Sequence, residues 1–131
     1  MLERRRYPRI KKSFSLKLSG YNFKIKTETE NLSANGMYCA INKPLELMTK
    51  LGIVIFLPYK NKNKTLVKRI YCEGVVVRKE ALLKEKKPIY YIGVYFNNIK
   101  EDDREFLITY INSYINSKIS NRKIYPSYTY S

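Results

Sequence analysis

Residues 13–29 read Ser-Phe-Ser-Leu-Lys-Leu-Ser-Gly-Tyr-Asn-Phe-Lys-Ile-Lys-Thr-Glu-Thr. Phe14, Leu16 and Leu18 alternate with Ser13, Ser15, Lys17 and Ser19. Phe23, Ile25, Thr27 and Thr29 alternate with Asn22, Lys24, Lys26 and Glu28. A period of two is that of a strand with one buried face. Gly20 separates the two runs, so together they predict a hairpin.

Working outward, the same period continues. Met37–Ile41 predicts a third strand, entered through Asn35-Gly36, a dipeptide that favours tight turns. Ile53–Leu57 is a continuously apolar fourth strand, stopped by Pro58, which has no amide N–H for a ladder. Residues 59–65 form a polar hairpin tip, and Leu66–Arg78 is a long fifth strand. A charged loop around Lys84–Pro88 leads to a sixth, Ile89–Phe96, with Tyr90, Ile92, Val94 and Phe96 on one face. At residue 100 the spacing changes: Phe106, Leu107, Tyr110, Ile111, Tyr114 and Ile115 recur as one face of a helix. Asp102 or Asp103 is its expected cap. The expected fold is mainly β: a small six-stranded antiparallel barrel, with a C-terminal α-helix over an open end or edge. Residues 1–12 read as a flexible basic arm, 13–119 as barrel plus helix, and 120–131 as a flexible tail with Tyr125, Tyr128 and Tyr130.

The 131 residues fit one domain, and 44% hydrophobic content is too high for a disordered polycation. Lys and Arg number 26 against 11 Asp and Glu, a net charge of +15 that asks for an anionic partner. The charge is uneven. Residues 1–12 and 58–72 each carry +5, while 101–105 carry −3. With no His, every His-dependent triad, general base and metal site is excluded. Cys39 and Cys72, 33 positions apart, make neither a zinc box nor a redox pair. No disulfide is expected, because nothing marks the chain as secreted. Residues 1–12 are charged rather than apolar, unlike a signal peptide. The longest apolar run, Leu51–Leu57, is too short for a membrane span. A soluble, cytoplasmic protein without membrane insertion is expected. No catalytic group, metal or cofactor is expected either. The carboxylates gather at Glu101–Glu105, where the helix start explains them, and no nucleophile has an evident base.

Two clusters stand out. Arg4-Arg5-Arg6-Tyr7-Pro8-Arg9 precedes the first strand. Its guanidiniums can grip a phosphate or a guanine edge bidentately, and Pro8 keeps the segment extended. The plainer reading is a solvated basic terminus. Asn31-Leu32-Ser33-Ala34-Asn35-Gly36 joins the second and third strands. Asn31 both donates and accepts, Ser33 carries a hydroxyl, and Gly36 permits positive φ and close backbone approach. The plainer reading is an ordinary polar turn.

Taken in order, Arg5 and Arg9 (Arg-x-x-x-Arg), then Asn31, Ser33 and Gly36 (Asn-x-Ser-x-x-Gly), resemble the PilZ domain. The resemblance continues in Gly52 before an apolar strand, Gly74-Val75-Val76-Val77-Arg78, Gly93-Val94-Tyr95-Phe96 and Asp103-Arg104-Glu105. It runs from about Glu3 to Ile115. It implies a β-barrel that binds the bacterial second messenger cyclic dimeric GMP (c-di-GMP). By the same resemblance, Arg5 and Arg9 hold phosphates and guanine edges, and Arg4 and Arg6 are candidates in a shifted register. Asn31 bonds a guanine edge, Ser33 a phosphate or guanine amine, and Gly36 keeps the turn open to the ligand. Arg78, on a strand bordering the site, is a further candidate; a solvated strand-end charge is its plainer reading. Two positions depart from the family pattern. Asn31 stands where many members have Asp, so it supplies one acceptor oxygen where a carboxylate supplies two. Tyr95 stands where Arg is frequent and reads as packing or surface.

The implied function is a non-enzymatic receptor whose arm changes conformation on binding and signals to a separate, unidentified protein controlling motility, attachment or exopolysaccharide. Two alternatives stand beside it. One is a basic barrel that binds nucleic acid, stacking bases on some of its 13 tyrosines. Most of those tyrosines alternate inward or lie on the helix stripe, which makes core packing their plainer reading. The other is a PilZ-like adaptor that has lost its ligand. Oligomeric state is open.

Overall fold

A computed structural model describes residues 7–123, with side chains for 7–118. Six strands and one helix follow in order: β1 (Ser15–Ser19), β2 (Lys24–Ser33), β3 (Gly36–Ile41), β4 (Lys50–Asn61), β5 (Lys64–Lys84), β6 (Lys87–Ile99) and α1 (Glu101–Lys123). The strands close into a barrel in the order β1-β2-β3-β6-β5-β4, with every pairing antiparallel. Alternation fills the interior. Leu16 and Leu18, Ile53, Ile55 and Leu57, and Ile92, Val94 and Phe96 are all buried.

Three strands are longer than their hydrophobic patterns. β4 runs through Pro58 because β1 pairs only with Gly52–Ile55, leaving one edge of β4 open beyond that point. The Pro58 carbonyl faces that edge and accepts from Tyr110 Oη at 2.6 Å. The missing N–H therefore costs the ladder nothing. β5 pairs with β4 over its first half and with β6 over its second. It bends at bulges beside Gly74 and Val77. A Cβ on Gly74 would lie 2.7 Å from Val94 Cγ1, so the corner needs a glycine. In place of a loop at 84–88, β5 and β6 meet at Lys84↔Lys87 around Glu85 and Lys86, both at positive φ. The Lys62-Asn63 tip has the same form.

α1 lies across the end of the barrel where β1 begins and β2 and β6 finish. Leu107 and Ile111 are fully buried. Phe106 and Tyr110 reach Tyr59 and Phe14 in edge-to-face contacts. The first helical bond runs from Arg104 N to Lys100 O, which puts Lys100 at the cap position. Asp102 and Asp103 therefore act from inside the first turn, where their charge suits the helix dipole. No described tyrosine belongs to the buried core, contrary to the alternation. A phenol needs a polar partner. The narrow interior is filled by aliphatic chains with Phe14 and Phe96, and the described tyrosines sit at the rim and surface. Among the described residues, no helix is long and apolar enough to cross a membrane.

Candidate functional site

The chain entering β1 runs antiparallel to the end of β2. Ile10 N donates to Leu32 O, and Leu32 N to Ile10 O, each at 2.9 Å. Ile10 points inward and is buried. The residue before it, Arg9, therefore points outward beside the residue after Leu32, which is Ser33. Within the segment read as an arm, Tyr7 also packs on the barrel. Arg4, Arg5 and Arg6 lie outside the described residues.

The β2–β3 turn has Ala34-Asn35 at its centre, with Ser33 paired to Gly36. Gly36 is thus already in the strand, and its φ is not positive. Its necessity is steric: a Cβ there would sit 2.5 Å from the backbone oxygen of Val94 on β6. Ser33, 3% exposed, holds the turn together. Its hydroxyl donates to Asn35 Oδ1 at 2.8 Å, lies 3.3 Å from Gly36 O, and accepts from Asn35 N at 3.3 Å. The turn is also tied outward, by Phe96 N to Asn35 O at 2.9 Å and by an Arg104 guanidinium N–H to Ala34 O at 3.1 Å.

These pieces line one open cleft of about 180 Å³. Arg9, Asn31, Ser33 and Gly36 line it together with Tyr38, Tyr95 and Arg78. A bulge between Val76 and Arg78 turns the latter outward. Its guanidinium lies 5.3 Å from the Tyr38 ring centroid. Tyr38 also stacks on Tyr91 at 5.7 Å and donates its hydroxyl to Glu80. Partial burial first, and the Glu80 carboxylate second, push the Tyr38 phenol up to about 12, so it stays a neutral donor. Among the described residues, the cleft lining holds two arginines and no carboxylate. At this size it cradles part of a small molecule, since enclosing cavities run roughly 300–1,000 Å³.

Of the residues expected from sequence, the fold brings together Arg9, Asn31, Ser33, Gly36 and Arg78. It adds Tyr38, which no motif marked. Tyr95, read as packing or surface, lines the cleft and is 48% exposed. The signal for both was alternation: each stands one residue from a buried position on a strand whose inward face is known.

The fold is thus a small barrel with a helix across one end and, beside the β2–β3 turn, a cleft whose described lining carries two arginines and no carboxylate. The PilZ domain model matches residues 3–113, and the chain belongs to that family. Solved structures agree in fold. The Bacillus subtilis inhibitor of motility (MotI/DgrA) superposes with a TM-score of 0.72 at 22% identity, over 88% of this chain and 53% of that one. The PilZ domain of YcgR from Escherichia coli, solved with c-di-GMP, gives 0.58 at 15%, over 90% and 98%. YcgR in complex with c-di-GMP gives 0.64 at 14%, over 93% and 50%. The chain thus spans about half the length of the Bacillus protein and of YcgR. No curated protein sequence matches it.

Proposed function

We propose that this protein is a c-di-GMP receptor without enzymatic activity, acting in the cytoplasm. The observation that carries the reading is the convergence of Arg9, Asn31 and Arg78 on one cleft, with no carboxylate among its described lining residues, in a PilZ domain. Two similar structures hold c-di-GMP. The ligand offers two phosphates and two guanines, matching guanidinium forks and the Asn31 amide. Charge-assisted hydrogen bonds contribute roughly 1.5–3 kcal/mol each. Four or five, less the entropic cost of association, suit binding at about −8 kcal/mol, or micromolar. Ser33 contributes by holding the turn, and reaches a phosphate only if its hydroxyl rotates away from Asn35. A change in the conformation of the N-terminal arm on binding is the signal, and a separate protein reads it in the control of motility, attachment or exopolysaccharide.

Isothermal calorimetry with c-di-GMP, GTP and cyclic AMP tests the reading. Heat with c-di-GMP alone, lost in Arg9→Ala, is the expected result. No heat with the wild-type protein at tens of micromolar sinks it.

A further inference from the structure

The basic stretch of residues 58–72 is divided by the fold. Lys68 turns towards the helix, 3.7 Å from Asp103 and over the Phe106 ring. Lys60 and Arg69 face outward. Strand alternation sends Val54, Phe56, Pro58 and Lys60 of β4 out beside Tyr71, Arg69, Val67 and Thr65 of β5. Lys17 of β1 lies opposite Val54, and Lys26 of β2 opposite Lys17. Lys62 extends the line to the hairpin tip, while Lys64, opposite Asn61, lies on the other face of the ribbon with Lys68. None of these residues lines the arginine cleft.

Two features make this face more than a solvated surface. Lys17 Nζ and Arg69 Cζ lie 5.6 and 5.7 Å from the Phe56 ring centroid, so one ring orders two cations before any partner arrives. Beside them the Tyr71 ring is 60% exposed and Val67 52%. Acids on the neighbouring outward rows are Glu28, Glu30 and Glu73, and Glu73 accepts from Asn98 at 3.1 Å. From the Tyr71 row to the Lys60 row is six residues, about 20 Å.

We propose that the outer face of β4 and β5, with its hairpin tip, binds single-stranded nucleic acid without sequence preference. Lysine is depleted in protein–protein interfaces, yet it supplies most of the charge here. Lysines along a strand pair with an exposed aromatic beside them is the chemistry of a phosphate track with a stacking platform. The length suits the 4–16 nucleotides that a small barrel engages. Because the surface lies outside the cleft, this inference stands or falls separately from c-di-GMP binding.

The test is fluorescence anisotropy of the full chain with a labelled 15-nucleotide uridine RNA. Four neutralised phosphates predict that affinity falls about 50-fold between 50 and 200 mM salt. The K17E/K60E/K62E variant should bind at least tenfold more weakly. Tyr71→Ala should lose about tenfold with the salt slope unchanged, and Tyr71→Phe should retain binding. Unchanged melting curves show that these exposed substitutions leave the barrel folded. Wild-type affinity in both the triple variant and Tyr71→Ala overturns the proposal. So does binding to phosphatidylserine vesicles or polyglutamate without binding to the RNA.

Discussion

Arg104, in the first turn of α1, donates from its guanidinium to the backbone oxygen of Ala34 at 3.1 Å. The helix is thereby fastened to the turn that presents Ser33 and Gly36 to the cleft. Hydrogen bonds from a charged donor contribute about 1.5–3 kcal/mol. Arg104→Ala should lower unfolding free energy in urea by that amount. It should also weaken c-di-GMP several-fold, because the ligand must then order the turn. Arg104→Lys should recover only part, lacking the planar fork.

Gly36→Ala separates steric need from conformational need. The new Cβ would meet the Val94 oxygen at 2.5 Å, a backbone atom that cannot step aside. Stability should fall by about 3 kcal/mol, the upper end for overpacking. At Gly93 the corresponding contact is the Arg78 Cβ at 3.2 Å, a side-chain atom. Gly93→Ala should cost about 1 kcal/mol or less in stability, while shifting Arg78 and lowering ligand affinity. Equal losses of stability at the two positions would show that this steric account is wrong.

Much of this was legible from residue patterns. The Phe14–Thr29 alternation located β1 and β2, and the helical stripe found Leu107 and Ile111, both fully buried. Asn31, Ser33 and Gly36 were legible as a cluster, because a turn keeps near neighbours together. Arg78 and Tyr38 met only through the pairing of β3 with β6 and β6 with β5, which no local period encodes. Asn35-Gly36 misled in detail. The pair favours a turn with both residues at positive φ, yet here Gly36 is in the strand, held there by its close approach to Val94. The extra lengths of β4, β5 and β6 were illegible because beyond the barrel the hairpins bury little and show no hydrophobic alternation.

Arg78→Ala probes the contribution of β5 to the cleft. Its guanidinium sits over the Tyr38 ring, already ordered before ligand arrives. Loss of one charge-assisted contact of about 1.5–3 kcal/mol predicts a 10- to 150-fold rise in the Kd for c-di-GMP, with little change in melting temperature. An unchanged Kd would assign Arg78 to solvent.

Cys39 and Cys72 are both buried and free, and burial pushes each thiol up from 9 to about 12. The folded state thus holds protons that the unfolded chain releases at lower pH. This contribution to stability is fully present below pH 9 and is lost as pH rises towards 12. Tyr38 adds a loss in the same direction between 10 and about 12. Urea midpoints should fall steadily above pH 9. Ellman's reagent at pH 8 should find no reactive thiol in the native protein and both after unfolding. Rapid native-state labelling would show that the barrel opens locally at one of these strands.

The β5–β6 tip carries a removable strain. Glu85 and Lys86 have φ of 53° and 68°, the left-handed region at both central positions of a two-residue hairpin turn. Side chains there cost roughly 1–2 kcal/mol per residue, whereas asparagine and glycine adopt the conformation readily. Glycine's greater freedom in the unfolded chain offsets part of the gain. The double variant E85N/K86G should therefore stabilise the protein by about 1 kcal/mol in urea unfolding. Its c-di-GMP affinity should not move, because the tip lies beyond the residues that line the cleft. A destabilised variant would mean that the charged tip is held by interactions that outweigh its backbone strain.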